Sequence, residues 1–221
     1  MRLYFTPGTC ALGCLILARS SGLAFEACRV EREQRSEPAF LGINPRGQVP
    51  AARIEEGDST RILTENSAIL LHIAGRSGSL PADGTVERDE IHYWLSWLDS
   101  GFHVAFYPFF KPQRYLPDEA RHGELRDAAK EVIRGAYDVL EEHLSRRQFM
   151  MGNAPTLLDP YVFAMTRWGL KVLGGIDGWP GVQAHRERMS EQPEVVWGLG
   201  VEAGEVTTAD GAFGGVVALT N

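Results

Sequence analysis

The spacing of apolar and polar residues in the first part of the chain predicts alternating strands and helices. Leu3–Phe5 and Phe25–Val30 are short apolar runs typical of β-strands. Between them, Ala11–Ser21 has the pattern of a helix, with Thr9 as its N-cap and Gly22 after its last turn. A strand, a helix and a strand joined by short links form a βαβ unit, so these two strands should be parallel.

The pattern continues with a hairpin and another helix. Pro50–Ile54 and Ile62–Thr64 are predicted strands separated by a turn, and Glu65–Arg76 is a predicted helix with one apolar face. A short helix is expected near Pro38–Ile43. We therefore expect residues 1–76 to form an α/β domain with a mixed four-stranded sheet.

The rest of the chain is predicted to be helical. Residues 77–86 contain Gly, Ser and Pro and form the expected linker. Residues 87–203 then repeat apolar positions at spacings of three and four, more cleanly over Leu125–Leu144, and Leu158–Leu173 is a further predicted buried helix, which together indicate an all-helical domain. Residues 204–221 are rich in Gly, Ala, Val and Thr without a period, and we expect an irregular C-terminal tail.

Composition narrows the class of protein. The chain has 221 residues, 44% of them hydrophobic and 23% charged, as is ordinary for a globular protein. The net charge of −7 and the lack of a basic cluster argue against a nucleic-acid partner. No apolar run has the length of a membrane span, and the start does not resemble a signal peptide. Three cysteines, an odd number, indicate a reducing compartment, so we expect a cytoplasmic protein without a membrane partner.

Cys10 is the first candidate for chemistry. It follows a strand, a Pro-Gly turn and the capping Thr9, so it should lie in the first turn of a helix. Backbone N–H groups and the positive end of the helix dipole there favour the thiolate. The alternative is a buried cysteine that serves as a small apolar core residue, and position alone does not distinguish this from a reactive thiolate. Cys14 and Cys28 are predicted to be core residues.

Three further positions give weaker signals. A cis bond before Pro50 would leave the main chain of Val49 free to pair with an extended peptide, although a trans proline is the commoner form. A helix that begins at Glu65 and Asn66 can hold a carboxylate and an ammonium, although an ordinary capped helix is the simpler explanation. His103 stands among phenylalanines and can assist proton movement, but a structural histidine is the alternative.

Together these segments resemble the glutathione transferase superfamily, and most of all its bacterial beta-type, cysteine-dependent branch. The resemblance covers roughly residues 1 to 200. The matching stretches are LYFTPGTCAL (3–12), INPRGQVP (43–50), LTENSAIL (63–70) and MGNAPTLLDPY (151–161). It implies a thioredoxin-like N-terminal domain, a C-terminal helical bundle, glutathione as co-substrate, no metal, and a homodimer in which the first domain of one subunit meets the helical domain of the other.

The resemblance also implies roles for individual residues. Cys10 matches the cysteine that faces the glutathione sulfur and can form a mixed disulfide with it. Glu65 and Asn66 match the pair that holds the γ-glutamyl end, although serine or glycine is more usual in place of Asn66. The other implied residues are Gln48, Val49 and a cis Pro50 along the peptide, Arg35 or alternatively Arg32 as its basic contact, His103 near the active site, and Trp168 in the cleft.

The expected activity is attack by glutathione on a small hydrophobic electrophile or a disulfide. The electrophile is expected in an apolar cleft floored by Phe106, Phe109 and Trp168. Cys10 is either a covalent partner, as in a thiol–disulfide reductase, or a neighbour of the reacting thiol. The alternative function is a non-enzymatic ligand carrier or partner-binding adaptor on the same fold. A plain thioredoxin-like redox protein is disfavoured because Cys10 and Cys14 are one residue too far apart for a Cys-X-X-Cys pair.

Three other features depart from or extend this pattern. Gly13-Cys14-Leu15 replaces a more polar stretch of the family, so the floor of the pocket is expected to differ. The segment from Thr156 to Asp159 matches the capping box that starts the buried core helix, which is a folding role. The tail after Ala203 is longer than usual and is a candidate to border the acceptor site.

Overall fold

A mixed sheet of five strands forms the N-terminal part of the computed structural model, which describes residues 1–220. The strands are β1 (Arg2–Phe5), β2 (Phe25–Arg29), β3 (Ala51–Glu56), β4 (Ser59–Thr64) and β5 (Phe213–Val217). Their order across the sheet is β4-β3-β1-β2-β5. β1 and β2 are parallel, as predicted, and β3 pairs antiparallel with both β1 and β4.

The fifth strand corrects two sequence predictions, the four-stranded sheet and the irregular tail over 204–221. β5 lies parallel to β2 and covers what would otherwise be an open edge of the sheet. Phe213 anchors it, since its ring is fully buried at 5.2 Å from the ring of Phe25 and 4.9 Å from that of Trp197. The strand was missed because it contains two glycines, which weaken the β signal. Asn221, the last residue of the predicted tail, lies outside the described residues.

Nine α-helices complete the described part of the chain. They are α1 (Ala11–Ser21), α2 (Pro38–Leu41), α3 (Asn66–Ser77), α4 (Val86–Trp97), α5 (Tyr107–Phe110), α6 (His122–Leu144), α7 (Leu158–Leu173), α8 (Pro180–Ser190) and α9 (Pro193–Ala203). A π-helical turn, Leu98–His103, joins α4 to α5. No helix in residues 1–220 is long and apolar enough to cross a membrane.

Helices α1 and α3 lie on one face of the sheet and α2 lies on the other, because side chains alternate along each strand. Leu3 and Phe5 of β1 point into the large core that includes α1 and α3. Tyr4, between them, points to the opposite face, where it packs against Phe40 of α2. The large core continues from α1 and α3 into the helical part, so that the sheet and the bundle share apolar packing. The domain bounds at 1–76 and 87–203 stay predictions.

The seam between the two parts is the contact of α1 with α7. Gly13 makes this close approach possible, because a Cβ there would lie 3.1 Å from both the carbonyl oxygen of Pro160 and the Cα of Tyr161. The first half of α7 is buried throughout. The glycine that interrupts the family's polar stretch therefore sets the distance between the sheet and the helical bundle.

Candidate active site

A cavity of about 680 Å³ opens between the sheet and the helical bundle. Its walls include the loop before α1, the loop before β3, the start of α3, the turn between α4 and α5, and the end of α7. The predicted site residues that line it are Cys10, Arg32, Arg35, Gln48, Val49, Pro50, Glu65, Asn66, His103 and Trp168. Both arginine alternatives, Arg32 and Arg35, are thus on the cavity wall.

Cys10, and not the predicted Thr9, stands at the N-cap position of α1, so Cys10 lies directly before the first helical turn. Its side chain is only 3% exposed. Burial raises the pKa of the Cys10 thiol to about 12, an effect that outweighs a backbone hydrogen bond acting in the opposite direction. The charges of Asp99 and Glu65 raise this pKa further. Burial therefore favours the neutral thiol over the thiolate at Cys10, the second of the two alternatives that the sequence left open.

The turn before Cys10 is held by residues of the helical part. The Trp168 indole Nε1 donates to the Gly8 carbonyl at 2.8 Å. The Gly8 N–H donates to the Glu202 carboxylate at 3.0 Å, and Arg167 pairs with the same carboxylate at 2.7 Å. Arg167 also donates to the Thr9 carbonyl at 3.4 Å. Sequence reasoning missed Arg167 and Glu202 because these partners lie far along the chain and form no local motif.

The loop from Asn44 to Pro50 forms a second wall of the cavity. The Val49–Pro50 peptide bond is cis, as the family resemblance implied. The Asn44 side-chain amide donates to the Gln48 carbonyl at 2.8 Å and holds the loop. Within residues 1–220 the main-chain N–H and C=O of Val49 form no hydrogen bond. The main chain of Val49 therefore presents a free hydrogen-bonding edge beside the cavity.

The start of α3 combines an unusual backbone with unpaired polar groups. Glu65 has φ 71° and ψ 129°, and among residues 1–220 no other non-glycine residue has a positive φ. Its carboxylate pairs with Arg46 at 2.8 Å. Asn66 is 5% exposed, and its side-chain oxygen accepts from the Cys14 thiol at 3.2 Å. Within the described chain, the Asn66 Nδ2 and the neighbouring Ser67 hydroxyl are buried without a partner.

His103 belongs to a hydrogen-bonded chain with Tyr161 and Asp99. The Tyr161 hydroxyl donates to Asp99 at 2.8 Å and lies 3.1 Å from His103 Nδ1. Since the hydroxyl has one proton, it accepts from Nδ1–H of His103, which leaves Nε2 as the free acceptor of the ring. Burial lowers the pKa of His103 to about 4, so the imidazole is neutral at neutral pH. Tyr161 and Asp99 were not foreseen.

The apolar wall of the cavity corrects the prediction for Phe106 and Phe109. Phe106 is fully buried behind the wall, with its ring 5.3 Å from that of Trp168. Phe109 turns toward α6, where Lys130 lies 6.0 Å from its ring. An aromatic stripe at helical spacing marks the face that packs into the core. The cavity is lined by the adjacent face of the same helical segment, which carries His103, Val104, Tyr107 and Phe110.

With this geometry established, comparison with known proteins identifies the family. The model of the glutathione S-transferase N-terminal domain matches residues 8–76, and that of the C-terminal domain matches residues 98–193. The chain therefore belongs to the glutathione S-transferase family. It is 32% identical over 205 residues to glutathione S-transferase GST-4.5 of Xanthomonas campestris, an alignment that covers 91% of this chain and 98% of the relative.

Solved structures place the chain close to bacterial beta-class members. It is similar to a sphingomonad glutathione S-transferase complexed with glutathione, with 36% identity, a TM-score of 0.79, and coverage of 92% of this chain and 99% of the other. It is also similar to the bacterial beta-class enzyme of Sphingomonas chungbukensis, with 35% identity, a TM-score of 0.78, and coverage of 91% and 98%. The predicted family and fold, apart from the additional strand, are confirmed.

Proposed function

We propose that this glutathione S-transferase binds glutathione in the cavity and uses the glutathione sulfur, not Cys10, as its nucleophile. The observation that supports the proposal most directly is the pair of buried polar groups on Asn66 and Ser67. They have no partner within residues 1–220, and they stand beside Glu65 at the start of a 12-residue helix. Buried donors without partners are costly, so a bound anion at this helix start would stabilise them.

The two ends of glutathione match the charges of the cavity. The γ-glutamyl end carries a carboxylate and an ammonium, which suit the α3 start and the Glu65 carboxylate respectively. The main chain of Val49 can pair with the cysteinyl residue of the peptide in the manner of an added strand. The glycyl carboxylate is then assigned to Arg35 or Arg32, which also line the cavity.

The burial of Cys10 supports one of the two roles that the sequence left open, that of a neighbour of the reacting thiol. A covalent role needs a thiolate, whereas the buried thiol has a pKa of about 12. A protonated thiol is instead a hydrogen-bond donor, and in the proposal it stabilises the glutathione thiolate. The glutathione thiol loses its proton to water, its sulfur bonds to the electrophilic carbon, and the leaving group departs with the bonding electrons. His103 contributes a neutral acceptor on the same wall.

Two substitutions of Cys10 test this assignment. Cys10→Ser keeps a donor and should retain the conjugation rate within about twofold, whereas Cys10→Ala should lower kcat by about fivefold to tenfold, the worth of one weak hydrogen bond. Intact mass after incubation with oxidised glutathione should show no adduct. A single adduct on the wild type that both variants lack, together with disulfide reduction that both lack, would instead support covalent catalysis.

Calorimetry with glutathione separates the transferase from the carrier alternative. We expect the wild type to bind glutathione and the Asn66→Leu variant to bind it more weakly, since that variant removes an unpaired donor at the proposed carboxylate site. An absence of glutathione binding by the wild type would favour a ligand carrier or an adaptor. The homodimer and the cytoplasmic location remain proposals, and light scattering at several concentrations would test the first.

A further inference from the structure

Five cationic side chains surround the cavity without a carboxylate partner. They are Arg32, Arg35, Lys111, Arg114 and Lys171. Within residues 1–220 none of them forms an ion pair, and what distinguishes them from other unpaired arginines such as Arg146 is that all five line one cavity. The chain as a whole has a net charge of −7. The cavity is thus a positive region on an acidic protein, which points to an anionic ligand.

The acidic side chains of the cavity offset only part of this charge. Glu65 is paired with Arg46, which leaves Asp99, hydrogen-bonded to Tyr161, as one carboxylate against the five cations. Lys111 and Arg114 are carried by the segment that follows α5, on the helical side of the cavity.

The cations also lie close enough to repel one another. Burial and the charges of Arg114, Arg35 and Arg32 lower the pKa of Lys111, in that order of size. Arg32 and Arg35, before α2, therefore lie near enough to Lys111 for their charges to act on it, as does Arg114. Such mutual repulsion is relieved when an anion binds between the cations.

Glutathione alone leaves part of this charge uncompensated. In the proposed function, its γ-glutamyl carboxylate lies at the start of α3 and its glycyl carboxylate at Arg35 or Arg32. Lys111 and Arg114 then retain no counter-charge. They lie on the helical side, together with the apolar residues Val104, Tyr107 and Phe110 that form the expected acceptor wall.

We propose that the electrophilic acceptor is an aromatic or otherwise apolar molecule that bears a carboxylate, and that Lys111 and Arg114 bind this carboxylate. The inference rests on the proposed function of the cavity and adds the substrate class. The apolar body of this acceptor contacts Tyr107 and Phe110, and its carboxylate reaches the two cations. In the reaction with a chloroarene, the glutathione sulfur forms the new C–S bond, chloride leaves with the C–Cl electron pair, and the thiol proton passes to water.

A pair of acceptors that differ in one charge tests the proposal. A chlorodinitrobenzoate carries the carboxylate, and its methyl ester is neutral. Each would be conjugated by the wild type, by Lys111→Gln, by Arg114→Gln and by the double variant, with uncatalysed rates subtracted. Arg146→Gln is the matched control, because Arg146 is an exposed arginine without an ion pair in the described chain and does not line the cavity.

We expect the double variant to lose about tenfold in kcat/KM for the carboxylate and less than about twofold for the ester. The KM for glutathione should not change, and Arg146→Gln should behave as the wild type. Equal losses on both acceptors, or no loss on either, would overturn the proposal. A rise in the KM for glutathione with both acceptors would also overturn it, since Lys111 and Arg114 would then hold the peptide.

Binding of the two S-aryl glutathione products gives a second readout that does not depend on turnover. The wild type should bind the carboxylate product about tenfold more tightly than the ester product, and the double variant should lose this preference. Equal affinity of the wild type for both products would overturn the inference. If glutathione itself does not bind, the proposed function fails, which calorimetry distinguishes from a failure of the acceptor assignment alone.

Discussion

Replacement of Asp159 should destabilise the protein more than any surface substitution, because this buried carboxylate joins three segments. Asp159 is fully buried near the start of α7. Its oxygens accept from the main-chain N–H of Met150 at 2.8 Å, the N–H of Thr156 at 2.7 Å and the Thr156 hydroxyl at 3.0 Å. They also lie 2.9 Å from Nε2 of His185, a fully buried residue of α8.

The magnitude follows from the donors that would lose their acceptor. Asp159→Ala leaves the N–H groups of Met150 and Thr156 and the Nε2–H of His185 buried without a partner. Each such donor left buried without a partner costs about 1–3 kcal/mol. Since these costs overlap, we expect a loss of about 4 kcal/mol in the free energy of unfolding. At about 2–4 °C per kcal/mol for a chain of this size, Tm should fall by about 8–16 °C.

Urea unfolding and thermal scans would measure the loss. Asp118→Ala is the matched control, because Asp118 caps an exposed turn by accepting from the Ala120 N–H at 3.1 Å, and its loss should cost about 1 kcal/mol or less. Conjugation per folded molecule should be unchanged in Asp159→Ala well below its Tm, since Asp159 does not line the cavity. A loss below about 1 kcal/mol for Asp159→Ala would refute the argument from unpaired donors.

Three further predictions address the site and the tail. Because burial lowers the pKa of His103 from 6.5 to about 4, its contribution to stability is complete above pH 6.5 and is lost as pH falls toward 4. As pH falls from 6.5 to 4, the free energy of unfolding measured in urea should therefore decrease by up to about 3 kcal/mol more for the wild type than for His103→Asn. Glu202→Gln should lower kcat/KM for glutathione by about tenfold through the Gly8 turn, and Glu202→Asp should not restore it. Phe213→Ala should cost about 3–5 kcal/mol and increase amide exchange along β2, whereas an unchanged exchange rate would contradict a stable fifth strand.

The elements that the sequence predicted are those with a strong local pattern. The βαβ unit, the hairpin of β3 and β4, and the long apolar run of α7 each combine periodicity with turn residues, and all are present. The strand that was missed has five residues, and two of them are glycines. Its stability comes from the burial of Phe213 against Phe25 and Trp197, which are distant in sequence. A tertiary contact of this kind leaves no periodic signal in the strand itself.

In the candidate site, too, the sequence predicted the residues that belong to local motifs and missed those that act through tertiary contacts. Cys10, Val49 and Glu65 belong to segments whose motifs carry the family resemblance, and the fold brings them to one cavity. Asp99 and Tyr161 were not predicted, because they act only by contact with each other and with His103. The expected cleft residues Phe106 and Phe109 were misplaced by one helical face, since their spacing marks the core.

The protonation of Cys10 shows why position in a helix does not by itself establish reactivity. A helix start favours an anion by about 0.3–1 kcal/mol at an exposed site and up to about 2 kcal/mol when partly buried. The rise of the Cys10 pKa from 9.0 to about 12 corresponds to about 4 kcal/mol against the thiolate, so burial prevails. Cys10 belongs to the same buried core cluster as Tyr161 of α7, and α7 packs against α1. The same helix, α7, supplies Tyr161 to His103 and Trp168 to the turn before the cysteine. The packing of α7 thus determines both the protonation of the thiol and the shape of the cavity around it, and neither can be inferred from the residues next to Cys10.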